Sequence, residues 1–254
     1  MKRALSYLPY LPLLATLSIC ALLVAHGPIT QLAHYNEFAN QTAFMGLPRA
    51  ADVLSNLAFA LVALWGIFML WPQRDHQHIQ AGRHGYLLFL LGLLLTAFGS
   101  GFYHLAPDNA RLVWDRLPIA LACAGLLAAV RAENVPNARS SIDAILLGLF
   151  AIASVAWWRI TDEHADGDLR LYLLLQGLPL ILIPMWQSIY RAPTMDRLAF
   201  GLALLLYIVA KAAEIMDQQL FATFGVISGH TLKHLIAGGA AGVLMSRLVQ
   251  RTRM

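Results

Sequence analysis

Eight apolar stretches, each about as long as a bilayer's hydrocarbon core is thick, leave this chain few ways to fold. They cover residues 5–25, 52–71, 86–105, 112–131, 142–158, 171–190, 198–216 and 230–248. An α-helix rises about 1.5 Å per residue, so roughly 20 residues cross a hydrocarbon core of about 30 Å. Only 13% of the residues are charged and 59% are hydrophobic, whereas a soluble domain carries about a quarter charged residues. No water reaches backbone groups inside lipid, so each spanning segment must bond its own N–H and C=O groups, as a helix does. The expected fold is all-α: a polytopic membrane helix bundle with a seven-helix core and one additional amino-terminal transmembrane helix.

The first run follows Met1-Lys2-Arg3. It is longer than the apolar part of a typical signal peptide and ends in a poor cleavage pattern, which favours a retained helix over a cleaved leader. The next residues, to about Ala51, are mixed and polar, broken by Pro28, Gly46 and Pro48. They read as an external loop with one short interfacial helix near residues 37–44. The chain thus divides into residues 1–51, the first helix and its loop, and residues 52–254, the seven-helix core. Cys20 and Cys123 lie within apolar runs, at no metal-site or disulfide spacing.

Cytoplasmic loops of membrane proteins are enriched in Lys and Arg. With the amino terminus in the cytoplasm, eleven basic residues fall inside (Lys2, Arg3, Arg74, Arg83, Arg131, Arg139, Arg191, Arg197, Arg247, Arg251 and Arg253) and five outside (Arg49, Arg111, Arg116, Arg159 and Arg170). The acidic loop at residues 162–168 is then external. The formal charge of +4 is thus a matter of membrane insertion, and nucleic acid is not an expected partner. Both termini come out cytoplasmic. The short loops look bacterial, which points to the inner membrane, with the ends that carry His104, Asp115, Ser55, His230 and His234 on the outer, periplasmic side.

Those residues are the ones that carry chemistry. His230 and His234 stand one turn apart on one helix face, a spacing that suits two ligands of one metal ion. His104 adds a third imidazole at the same depth. Three protein ligands leave a fourth position open, as catalytic zinc sites do. Ser100 lies one turn before His104, and the run Gly99-Ser100-Gly101 also suits close helix packing. Asp115 is a candidate acid–base group, or else a helix-terminal acid or an ion-pair partner for Arg111 or Arg116. Asp52 and Ser55 look like helix-capping residues. Lys211 and Glu214 suit a buried ion pair. Glu214 or Asp217 could hold a ligand imidazole by its second nitrogen, and Lys233, on another face, suits snorkelling to the interface. A transporter relay built on Lys211, Glu214 and Asp217 would call for an internal repeat, and none is visible.

At these residues the sequence resembles the alkaline ceramidases, within the wider group of seven-helix membrane hydrolases that includes the progestin–adiponectin receptors. The pattern is Ser-x-x-x-His at the end of one helix, an Asp eleven residues after that His, and His-x-x-x-His on the last helix: Ser100, His104, Asp115, His230 and His234. Val53-Leu54-Ser55-Asn56-Leu57 also looks like the opening of the family's first core helix, and the resemblance spans about residues 52–248. It implies zinc held by His104, His230 and His234, with Ser100 anchoring the amide oxygen and Asp115 as general base and then acid. The implied function is a zinc-dependent integral-membrane amidase. Such an enzyme would hydrolyse ceramide, or a related long-chain lipid amide drawn from the bilayer, to a fatty acid and a long-chain amine. The alternative is a non-enzymatic receptor- or sensor-like protein with structural zinc. The animal enzymes also bind calcium just before the core. The matching stretch here, residues 34–40, holds one acid and no tryptophan, and calcium is not carried over.

Overall fold

The structure is a computed structural model that describes residues 7–164 and 167–254. Lys2, Arg3, Leu5 and, in the acidic loop, Ala165 and Asp166 lie outside the described residues. The protein is an all-α bundle with, among the described residues, eight helices long and apolar enough to cross a membrane. After a 3-10 turn at Leu8–Tyr10, the segments are α1 (Leu11–His26), α2 (Ala50–Ser55), α3 (Leu57–Leu70), α4 (Arg83–Leu105), α5 (Asn109–Asn134), α6 (Ser140–His164), α7 (Arg170–Ile189), α8 (Thr194–Ile215), α9 (Asp217–Phe224) and α10 (Gly229–Arg251). It is an integral, multi-pass membrane protein. α2 and α3 together form one span, Ala50–Leu70. α1 rests against α7 and is otherwise exposed. Its outward Leu13, Leu17 and Leu22 would be a liability in water and are ordinary in lipid.

α5 lies at the centre and is the most buried span. It packs tightly on α4 because one stripe of α4 has no side chains. Gly85, Gly92 and Gly99 recur every seven residues. A Cβ at Gly99 would sit 2.0 Å from the carbonyl oxygen of Trp114. Without attraction between apolar surfaces in lipid, such close backbone contact is a main source of helix association. Gly101 meets nothing, so the small-residue run works through Gly99 alone.

Several spans run one to six residues beyond their apolar stretches, because their polar ends find partners. At the end far from the histidines, Arg247 pairs with Asp196 at 2.5 Å, and Arg251 with Glu133 at 2.8 Å. Tyr86 donates its hydroxyl to Glu133. These links tie α4, α5, α8 and α10 together where hydrocarbon gives way to water.

The interfacial helix expected at residues 37–44 is absent. Residues 27–49 instead form a strap with short turns, folded over the end of the bundle where the histidines lie. Its backbone donors go to side chains and tight turns rather than to carbonyls four residues back: Ala39 N–H donates to the distant Asp217 at 2.8 Å, and Thr42 N–H to the neighbouring Asn40 side chain at 2.9 Å. Asx-type local bonding of this kind competes with a helix. At the start of the strap, Ile29 N–H and the Trp157 indole donate to Asp168, which Arg170 also clasps. Burial pushes the Asp168 carboxyl up. The Arg170 guanidinium, the Trp157 indole and two backbone N–H groups outweigh that and hold it well below the usual carboxylate range.

Candidate metal centre

His104 is the penultimate residue of α4 and is fully buried. His230 and His234 come from the first two turns of α10, with 5% and 2% exposure. Their ligand atoms all lie within 4.8 Å of one another. The Nε2 atoms of His104 and His230 are 3.1 Å apart, close to the ~3.3 Å that two nitrogens about 2.0 Å from one tetrahedral ion would show. Phe38, from the strap, packs edge-on against both rings, with centroids at 4.7 and 4.4 Å.

α10 is placed by its first residues. Ser228 is the N-cap and accepts from Thr231 N–H at 3.1 Å. Asp52, fully buried on α2, accepts from the Thr231 hydroxyl at 2.5 Å and the Ser228 hydroxyl at 3.3 Å. Asp52 therefore does not cap its own helix. Arg49 occupies that position in a left-handed conformation with φ 46°, and Asp52 is left free to hold the neighbouring helix. Asp217 accepts from the backbone N–H of His230 at 2.7 Å. Gly229 permits the approach, since a Cβ there would lie 2.1 Å from the Ala213 carbonyl oxygen.

Ser55 holds an imidazole, and it too is no cap. Its hydroxyl donates to the Asp52 carbonyl at 3.0 Å and lies 2.8 Å from His234 Nδ1. A hydroxyl has one hydrogen. With that hydrogen on the carbonyl, Nδ1 must be the donor, and Nε2 of His234 carries a lone pair. That Nε2 is buried, has no hydrogen-bond partner among the described residues, and belongs to the three-histidine cluster. Buried polar atoms are paired in the great majority of cases. An unpaired imidazole lone pair beside two other imidazoles is what a metal ligand looks like before its ion is added. The donor set suits zinc and several other transition metals.

The site opens on a cavity of about 390 Å³ whose lining includes Ser100, Asp115 and His234. Ser100 Oγ and Asp115 Oδ1 are buried and unpartnered among the described residues. Neither alternative ion pair forms for Asp115: Arg111 pairs with Asp108, and Arg116 lies over the ring of Trp158 at 4.0 Å. Away from the histidines the cavity follows one face of α4 (Ser100, Thr96, Leu93, Phe89) and one face of α10 (His234, Ala237, Ala241, Leu244). Eleven residues of helix give this apolar arm a length of about 16 Å.

Comparison of the chain with family models, curated proteins and solved structures finds no match.

Three expectations need correction. Lys233 does not snorkel outward. Its side chain is 13% exposed, lines the cavity and binds Glu214 at 2.9 Å, because the start of α10 faces α8 rather than lipid. Glu214, which also pairs with Lys211, is taken up by the two lysines and reaches no imidazole. Asp217 is not on the helix of Glu214, since the break at Met216 starts α9, and it holds the backbone of His230 rather than its ring. The link among Asp52, Ser228 and Thr231 was missed in the sequence. Nothing in the spacing showed that they meet.

Proposed function

We propose that the protein is a zinc-dependent membrane amidase of the alkaline ceramidase type, cleaving a long-chain lipid amide. The observation that carries this reading is the junction of three elements: a three-imidazole cluster with an orphaned lone pair, two unpartnered oxygens at Ser100 and Asp115, and an apolar arm leading away from them. The resemblance at Ser100, His104, Asp115, His230 and His234 points the same way.

His104, His230 and His234 would hold the metal, which when bound supplies Lewis-acid polarisation of the carbonyl. The chain's own groups do the rest. The apolar arm takes the acyl chain and fixes the amide at its polar end. The Ser100 hydroxyl donates to the oxygen on which negative charge develops. The Asp115 carboxylate removes a proton from the attacking water and delivers it to the amine nitrogen as the C–N bond breaks. Water's hydroxyl ends on the acyl carbon, and the products are a fatty acid and a free amine. Phe38 and the strap keep bulk water from the rings. The charge distribution along the loops favours cytoplasmic termini and a site toward the outer face of a bacterial inner membrane.

Fatty-acid release from N-acyl sphingoid bases and other long-chain amides, followed by mass spectrometry on detergent-purified protein, tests the reading. Asp115→Asn should keep its metal and lose turnover by about 10²–10⁴-fold. Wild-type turnover in that variant would sink the assignment of Asp115. A metal-loaded wild type inert toward every amide would leave the receptor- or sensor-like alternative.

A further inference from the structure

Three arginines are buried among the described residues: Arg116, Arg247 and Arg251. Arg247 and Arg251 each hold a carboxylate. Arg116, at 2% exposure the most buried of the three, forms no ion pair or hydrogen bond with any described residue, and its Nε and Nη1 are buried without an acceptor. It lines the cavity that contains Asp115 and His234. A guanidinium does not shed its proton in a protein, so the charge stays.

The surroundings of Arg116 compensate one direction only. Its guanidinium carbon lies 4.0 Å from the ring of Trp158, 5.1 Å from Tyr35 and 5.4 Å from Tyr172. Aromatic rings attract a cation through their faces, but they offer little to N–H donors pointing outward in the guanidinium plane. Those donors form a fixed fork that matches the two oxygens of a carboxylate, phosphate or sulfonate. The rest of the cavity leans the same way. Lys211 and Lys233 share the single carboxylate of Glu214, so three side-chain cations face two carboxylates, Glu214 and Asp115.

The position of the fork matters as much as its charge. The apolar arm runs from Ser100 and His234 along α4 and α10, whereas Arg116 follows Asp115 near the start of α5, over the rings of Tyr35 from the strap and Tyr172 from the start of α7. An acyl chain in the apolar arm, with its amide at Ser100 and Asp115, therefore places the amine half of the lipid beside Arg116. We propose that Arg116 binds an oxyanion on the amine half of the substrate, so that the preferred substrate is an acidic N-acyl lipid rather than neutral ceramide. This rests on the amidase reading above for the placement of the amide. The oxyanion site itself is a binding property and is tested as one.

The probes are N-dodecanoylglycine and its neutral isostere N-dodecanoylglycinamide, since the ~16 Å arm matches about a dozen carbons in extended C–C geometry. Binding to the purified wild type is measured by calorimetry, and hydrolysis in the same samples by mass spectrometry. The wild type should bind the acid about 10- to 100-fold more tightly than the amide, the range for charge-assisted hydrogen bonds. Arg116→Gln should abolish that preference while leaving the affinity for the neutral amide within about threefold. Arg116→Lys, which keeps the charge without the fork and covers the case of a misfolded glutamine variant, should retain a smaller preference. Equal affinity of the wild type for both probes would overturn the proposal, as would an equal loss for both in Arg116→Gln. If Arg116→Gln weakens only inhibition by free dodecanoate, the fork holds the product carboxylate and the headgroup assignment falls. Selective binding without hydrolysis of either probe or any other amide would uphold the oxyanion site and refute the amidase reading.

Discussion

Replacing Ser55 by alanine removes one hydroxyl and, with it, the acceptor that keeps the Nδ1 proton of His234 in place. The structural damage should be small. The Asp52 carbonyl to which Ser55 donates keeps a second donor, Asn56 Nδ2 at 2.8 Å, so of the two hydrogen bonds of Ser55 the one to His234 is the main loss to folding, about 1 kcal/mol. The metal should feel more. Without its acceptor, Nδ1–H is a buried, unsatisfied donor, and the ring regains the tautomer that blocks Nε2. Removing such an outer partner of a ligand histidine typically weakens metal affinity about 10- to 100-fold, or roughly 1.4–2.7 kcal/mol. Competition against a chelator of known affinity reads this directly in detergent, with the melting temperature as the fold control. Ser55→Thr, which keeps the hydroxyl, should fall much closer to the wild type. Unchanged affinity in Ser55→Ala, with a normal melting temperature, would refute the idea that Ser55 sets the tautomer.

Other outcomes follow from the packing and the charges. Gly99→Ala drives a methyl to within 2.0 Å of the Trp114 carbonyl oxygen and should cost at least ~1–3 kcal/mol through overpacking. Gly101→Ala, which meets nothing within 4 Å, should leave the thermal midpoint in detergent unchanged. Equal effects would contradict the glycine-stripe account of the α4–α5 interface. Asp52→Ala strips two buried hydroxyls of their acceptor and should lower stability by about 2–4 kcal/mol, and it should loosen metal binding by freeing the start of α10. Wild-type values on both measures would contradict that role. Asp168 titrates below the ordinary carboxylate range, so its hold on the strap is fully present above about pH 4 and is lost only as the pH falls through the lowered value. Fluorescence of Trp157, isolated by difference from Trp157→Phe, should stay flat down to about pH 4 and change below it. A transition centred above pH 4 would contradict the account.

The bundle was readable because lipid imposes one rule on every segment, and runs such as 86–105 and 112–131 meet it by length and composition alone. Their ends were less readable. Arg251 and Glu133 extend helices beyond the apolar runs through a contact across more than a hundred residues, which no local pattern reports. The histidine cluster was legible because the i,i+4 spacing of His230 and His234 fixes their common face whatever the tertiary structure, and His104 needed only a shared depth. Asp52 and Ser55 were misread because a Ser or Asp at the start of an apolar run is usually a cap. Here the left-handed Arg49 starts the helix and frees both residues for α10. Arg116 was read as an outer-side charge and a candidate ion-pair partner of Asp115, and its burial under three aromatic rings came from α6, α7 and the strap meeting over it.

The most direct measurement is the metal content of protein purified in detergent without chelators, read by elemental mass spectrometry beside His104→Ala. About one zinc ion per chain in the wild type, lost in the variant while helicity is kept, is the expected result. A metal-free wild type that cannot be loaded with zinc, or a His104→Ala variant that keeps its ion, would contradict the three-histidine centre.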